Sequence, residues 1–337
     1  MSDAKPTWAV VATVDEPPAV VQAFVAWHLS LGADAVYLYF DRPDDPAADI
    51  CADLDQVHVT RCDAAYWAAF GRKRPPRHEL RQVNNARHAY ARAEADWLLH
   101  IDADEFVWCD GDVASCLADV PDAVEAVTFP VAERVHIGPA ATVFEGVFRL
   151  PFAKPAEVGR AILGPSYDLT YRGLTGHAQG KAFSRTGRGL RLSIHRPRPQ
   201  DREAKLAIHR CPADQMVLLH LEGLTRQQWI FKLLRMAQAL EHDDGMPPSA
   251  HRAGQAAAIL EDPDAAGVLH DLLKTADAAR LRTLAEHGLL LQLPFDPLDA
   301  IMRFFPAAFA DPSPGAIDRW LAQNKADILS YLELPKD

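Results

Sequence analysis

At 337 residues, 49% hydrophobic and 24% charged, the chain has the profile of a globular protein able to bury one large core or two smaller ones, and no apolar run reaches bilayer-spanning length. The formal net charge of −11 and the lack of any binding motif beside its basic segments argue against nucleic acid as a partner. Five scattered cysteines without a CxxC pair argue against a disulfide framework and a structural zinc site, and with no signal-like N-terminal segment the expected location is cytoplasmic.

Trp8–Thr13 reads as a buried strand. Asp15 and Glu16 followed by Pro17 and Pro18 mark a helix start, Val20, Phe24, Trp27 and Leu31 recur at helical spacing, and Gly32 is a natural stop. Ala35–Phe40 is a second strand, closed by the turn Asp41–Pro46. A strand–helix–strand unit of about thirty residues implies parallel strands joined by a right-handed crossover. Val57–Thr60 is a short third strand. A long helix is predicted over His78–Ala95, with Leu80, Val83, Ala86 and Tyr90 facing inward. The strand Trp97–Ile101 follows, then a short helix near Val113–Leu117 and a strand at Ala126–Pro130.

Beyond Val131 the pattern loosens. Gly180–Ser184 and Leu190–His195 have strand character, and Met216–Leu221 reads as another buried strand. Thr225 caps a helix running through Trp229, Leu233 and Met236. From Pro247 onward, short helices separated by prolines are expected. Residues 236–337 hold sixteen acids against eight Lys or Arg, so this tail carries most of the net charge. The reading is two regions, 1–235 and an acidic helical extension over 236–337, the latter open to partner docking or self-association. Basic segments at Arg61–Arg92 and Lys181–Arg210 suit an anionic ligand such as a nucleotide diphosphate, or are solvated loops.

The most informative stretch is Trp97-Leu98-Leu99-His100-Ile101-Asp102-Ala103-Asp104-Glu105-Phe106. In an extended segment, residues two apart project to one side. Asp102 and Asp104 can therefore reach one hard divalent cation, which takes oxygen ligands and bridges to a diphosphate. Doubly wound sheets gather ligand sites at the carboxyl ends of their strands. Three such ends here carry acids: Asp15 with Glu16, Asp41 with Asp44 and Asp45, and Asp102 with Asp104.

With these residues, Ala26–Ala33, Tyr37–Asp41 and the order Gln82–Arg87, Gly180-Lys181, His195, Leu219-His220, Lys232, the chain resembles family 2-like glycosyltransferases close to the glycosyltransferase family 92 group. The resemblance spans about residues 8–235, with the specific motifs in the first hundred. It implies an α/β fold of GT-A type, a Rossmann-like mixed sheet flanked by helices. It also implies a nucleotide-sugar donor, a saccharide or glycan-precursor acceptor, inversion at the anomeric carbon, and Mn2+ or Mg2+. The family usually has Asn where this chain has Asp15, and an Asn/Gly/Ser-rich loop where it has Asp41–Pro46.

Asp102 and Asp104 are assigned to metal and diphosphate, against the competing reading of capping or turn aspartates. His220, at a strand end, is a further metal candidate or a core histidine; His195 is a second such candidate or a loop residue. Asp15, Glu16 and Asp41 are expected to hold the nucleoside, although Asp15 and Glu16 equally suit a helix N-terminus. Arg81, Gln82 and Asn85 lie within about one helical turn and face the donor, or belong to a solvated face. Lys181 neutralises the diphosphate or is a surface lysine. Candidates for the acceptor's general base are Glu133, Asp168 and Glu222, each also readable as structural. Trp67 and Trp108 stack on a sugar or pack in the core. Two other functions share an acidic strand end: a metal-dependent nucleotidyltransferase, and a non-catalytic nucleotide- or sugar-binding module on a transferase scaffold.

Overall fold

A computed structural model describes residues 5–71, 73–152, 156–201, 203–241 and 249–330. In chain order the first elements are β1 (Trp8–Val14), α1 (Pro18–Ser30), β2 (Ala35–Phe40), α2 (Ala47–Ala52), β3 (Val57–Arg61), α3 (Ala64–Ala69), α4 (His78–Tyr90), β4 (Trp97–His100), β5 (Glu105–Cys109), α5 (Val113–Ala118) and β6 (Ala126–Phe129). The middle of the chain forms β7 (Val131–Val135), β8 (Val147–Arg149), α6 (Glu157–Leu163), β9 (Lys181–Arg185), β10 (Ile208–Arg210), β11 (Met216–His220) and α7 (Arg226–Glu241). The tail forms α8 (Ala250–Glu261), α9 (Ala266–Lys274), α10 (Ala278–Glu286), β12 (Leu290–Leu291), α11 (Leu298–Phe304), α12 (Pro314–Asn324) and α13 (Ala326–Leu329). Pro247, where the helical tail was expected to start, lies outside the described residues.

The fold is mixed α/β, two mixed sheets flanked by helices. The larger sheet has seven strands in the order β3-β2-β1-β4-β9-β6-β10. β1, β2, β3 and β4 are parallel, with Val14 opposite Phe40 and Val11 opposite His100. β9 runs antiparallel to both β4 and β6, and β10 is parallel to β6. β1 is buried along its whole length, as expected of a parallel strand covered on both faces. The chain winds outward from β1 through β2 to β3, then returns to place β4 on β1's other side. The topological switch point, where such sheets bind ligands, lies between β1 and β4. The second sheet has the order β12-β8-β7-β11-β5.

The described residues divide into two compact units. One comprises the chain up to Pro130, Gln179–Leu218 and Pro297–Ala310; the other comprises Val131–Ala178, Leu219–Asp296 and the chain from Asp311. In the first unit, α1 is buried nearly all round, from Ala19 to Ala26, and packs against α11. Gln22, itself buried, clips the returning segment: its Nε2 donates to Ala308 O at 2.6 Å and its Oε1 accepts from Ala310 N at 2.9 Å. In the second unit β7, β8 and β12 are antiparallel neighbours.

Four expectations need correcting. α4 stops at Tyr90, and Leu80, expected inside, is 43% exposed. The buried face of α4 is instead polar, with Arg81, Gln82, Asn84 and Asn85 beside Ala86 and Ala89. Leu190–His195 is not a strand; it contributes only an isolated bridge between Arg191 and Arg198. The third concerns β5, which begins directly after Asp104 and was not foreseen. The last is β12, a two-residue strand in a tail read as wholly helical.

Candidate functional site

The first unit brings three acid-bearing strand ends to one edge of its sheet, because β1, β2 and β4 are parallel. One helix reaches all three. From α4, Arg81 contacts Asp41 after β2, Gln82 contacts Asp102 after β4, and Asn85 contacts Thr13 on β1. This explains why α4 buries Arg81, Gln82 and Asn85: each meets a polar group at the sheet edge, where burial without a partner would be costly.

Asp102 to Glu105 forms a turn, closed by Glu105 N donating to Asp102 O at 3.0 Å. The two acids are therefore placed by a turn, not by strand alternation as expected. Asp104 is buried, whereas the Asp102 side chain keeps 29% of its surface exposed. Asp102 Oδ1 accepts from Gln82 Nε2 at 2.5 Å. Its Oδ2 lies 3.3 Å from Lys181 Nζ on β9. Lys181 is fully buried, not a surface lysine, and also pairs with Glu105 Oε2 at 2.9 Å. Glu105 Oε2 additionally accepts from Asp102 N at 2.8 Å. Burial opposes the charge on Lys181, but Asp102 and Glu105 overcome it and raise the ammonium's pKa above its ordinary value. Next to them His100, whose Nδ1 bonds Ser193 O at 3.0 Å, is pushed down to about 4 by burial and by Lys181.

Asp41 and Arg81, both expected to face the donor, are each other's partners. Arg81 holds Asp41 with two bonds of 2.8 Å, the bidentate fork that suits a carboxylate. Arg74 Nη2 adds a third at 2.8 Å, and Arg81 also donates to Pro75 O and Pro76 O. Burial alone would raise the Asp41 pKa; Arg81, with His78 and Arg74, outweighs it and holds the carboxyl below its usual value. Arg74 remains 46% exposed. Asn85 Oδ1 accepts from Tyr66 OH at 2.8 Å while its Nδ2 donates to Thr13 Oγ1 at 2.8 Å. Asp15 and Glu16 are half-buried ahead of α1, where Asp15 N donates to Glu16 Oε2 at 2.6 Å. Trp67 is a core residue whose Nε1 donates to Cys62 O, and Trp108 is half-buried on β5. His195 is half-buried in the loop after the Arg191 bridge.

The second unit holds buried polar residues around Glu133 and Glu222. Glu133 on β7 pairs with Arg149 at 3.0 Å and Lys274 at 3.1 Å, and accepts from Thr175 N, Thr175 Oγ1 and Gly176 N. Burial opposes its ionisation, but these cations and amides hold its pKa far below the carboxylate range. His220 Nε2 lies 3.3 Å from Glu222 Oε2, and its ring stacks on His177 with centroids 5.1 Å apart. Glu222 also pairs with Lys232 and Arg252, each at 2.7 Å; despite burial, these charges keep it well below its ordinary pKa. Asp168 is exposed and pairs with Arg160 at 2.7 Å.

Sequence reasoning missed Glu105, Arg74, Tyr66 and Thr13 as parts of the first unit's site. Glu105 had a signal, since it directly follows the acidic pair. Arg74 sat within a basic run, whereas nothing local marked Tyr66 or Thr13.

No family model matches the chain, and no curated protein matches it. Among solved structures it is similar to HddC from Yersinia pseudotuberculosis, at 11% identity and a TM-score of 0.27, covering 41% of this chain and 66% of that one. It is also similar to the same protein complexed with GMP-PN, at 9% identity and a TM-score of 0.34, covering 66% and 96%. A third is S. aureus TarS 1-349, at 12% identity and a TM-score of 0.33, covering 97% and 87%.

Proposed function

We propose that the chain is a metal-dependent glycosyltransferase, moving a sugar from a nucleoside-diphosphate donor to a hydroxyl of a saccharide or surface-polymer precursor with inversion. The observation that carries this reading is the meeting of three acid-bearing strand ends, organised by α4, at the β1–β4 switch point. The donor-binding part lies wholly within residues 1–235.

The residues suit a hard divalent cation. Two carboxylates stand at one strand end, and the Asp102 side chain, held by Gln82 and Lys181, is partly exposed. Asp102 and Asp104 would hold Mn2+ or Mg2+, which when bound offsets charge on a departing diphosphate. Lys181, kept charged by Glu105, supplies a fixed positive field at the same place without reorganising. Arg81 is fixed by Asp41 and orients that acid toward Arg74, whose exposed guanidinium suits a phosphate. Asp15 and Glu16 remain the proposed contacts to the nucleoside. An acceptor base needs a pKa near working pH; Glu133 and Glu222 are held ionised by buried cations and serve better as anchors.

Product analysis tests the reaction. With a donor panel, Mn2+ and a saccharide acceptor, the proposal expects release of nucleoside diphosphate. Release of pyrophosphate would replace it with nucleotidyl transfer, and binding without turnover would replace it with a binding module.

A further inference from the structure

The spread of cysteines along the sequence conceals a close pair. Cys109 ends β5 and Cys116 lies in α5, and their Sγ atoms are 3.3 Å apart. Seven residues and a turn through Asp112, which caps α5, bring the two together. A disulfide bond of about 2 Å requires only a short further approach. The two thiols differ in access: Cys109 is buried and Cys116 is half-exposed. The other cysteines are all buried, and burial pushes Cys51 and Cys62 up to about 12 and Cys211 up to about 11. Reaction with a soluble oxidant needs an accessible thiolate, so Cys116 is the point of entry.

We propose that Cys109 and Cys116 form a reversible disulfide on exposure to hydrogen peroxide. The Cys116 thiolate attacks the peroxide O–O bond, giving a sulfenic acid and releasing water. The Cys109 sulfur then attacks the sulfenic sulfur, forming the S–S bond as a second water leaves. Two thiols lose two electrons and two protons, and one peroxide becomes two waters. Burial, reinforced by the neighbouring thiol, raises the Cys109 pKa. Cys109 is therefore not the thiol that meets the oxidant first; its Sγ, 3.3 Å from that of Cys116, is placed to attack the sulfenic sulfur once it forms. The bond would tie the far end of β5 to α5, on the strand whose first residue, Glu105, holds Lys181.

The full chain, treated with peroxide and alkylated under denaturing conditions, tests this by tryptic mapping. No Lys or Arg lies between Arg92 and Arg134, so both thiols fall in one peptide, residues 93–134. That peptide should lose two hydrogens in mass, escape alkylation, and recover both thiols with dithiothreitol. The Cys116→Ser variant should keep Cys109 alkylatable after the same treatment. Oxygen addition at Cys116 without a link, a bridge to the peptide beginning at Cys211, or two alkylated thiols throughout would each overturn the proposal.

Discussion

The Lys181–Glu105–Asp102 contacts are the most constrained point of the first unit. Glu105 and Lys181 are both fully buried, so removing one partner leaves an uncompensated charge in a low-dielectric setting. Lys181→Met should destabilise the fold by about 3–5 kcal/mol in urea unfolding, and the double variant with Glu105→Gln should recover part of that loss. Retention of full stability in the single variant would contradict the pairing. A second residue-scale prediction concerns acid. His28 is buried in α1 with Nδ1 bonded to Phe24 O at 2.7 Å, and burial lowers its pKa from 6.5 to about 4. The unfolded chain therefore binds the proton first as pH falls. His28 contributes stability that is fully present above 6.5 and is lost progressively toward pH 4, by roughly 3 kcal/mol. Unfolding midpoints measured between pH 7 and 4.5 should decline, and His28→Asn should flatten part of that slope. At this scale the sequence disclosed which types of residue gather at strand ends. It could not disclose that Asp41 and Arg81, forty residues apart, take each other as partners.

At the scale of elements, β1, β2, β4 and β11 were legible as apolar runs bounded by turn residues, α1 by its helical spacing, and β3, β6 and β9 as short mixed segments of strand character. Thr225 was legible as a cap, and its Oγ1 does accept from Gln228 N at 3.0 Å ahead of α7. Leu80 of α4 faces outward, although Ala86 is buried as expected, because the helix's inner side meets a polar sheet edge. β5 escaped notice because the acidic turn before it dominates the local pattern. The join between β9 and β6 is unusually tight. A Cβ added at Gly180 would lie 1.7 Å from Phe129 O, a backbone atom unable to swing aside. Gly180→Ala should therefore displace β9 and with it Lys181, at a cost of about 1–3 kcal/mol. A clear fall in the thermal midpoint is expected, and an unchanged midpoint would show that the two strands separate freely.

Across the whole molecule, the loosening of pattern beyond Val131 and its return near Gly180 lie close to two boundaries of the units, whereas nothing in the sequence marks Pro297, so the discontinuity of the units was legible only in part. The return of Pro297–Ala310 to the first unit rests on α11 packing against α1 and on the bonds of Gln22 to Ala308 and Ala310, which no pattern announces. Among the described residues, no helix is long and apolar enough to cross a membrane. The central claim, that the acids after β4 hold a divalent cation and through it a nucleoside diphosphate, has a direct test in thermal unfolding. A panel of nucleoside diphosphates with and without Mn2+ should raise the midpoint of the native chain, one nucleotide and metal together exceeding either alone, as binding to the folded state requires. Asp102→Asn and Asp104→Asn should retain the unliganded midpoint within a few degrees and lose the joint increment. A native chain that no nucleotide–metal combination stabilises, or an Asp104→Asn variant stabilised as strongly as the native chain, would contradict the claim.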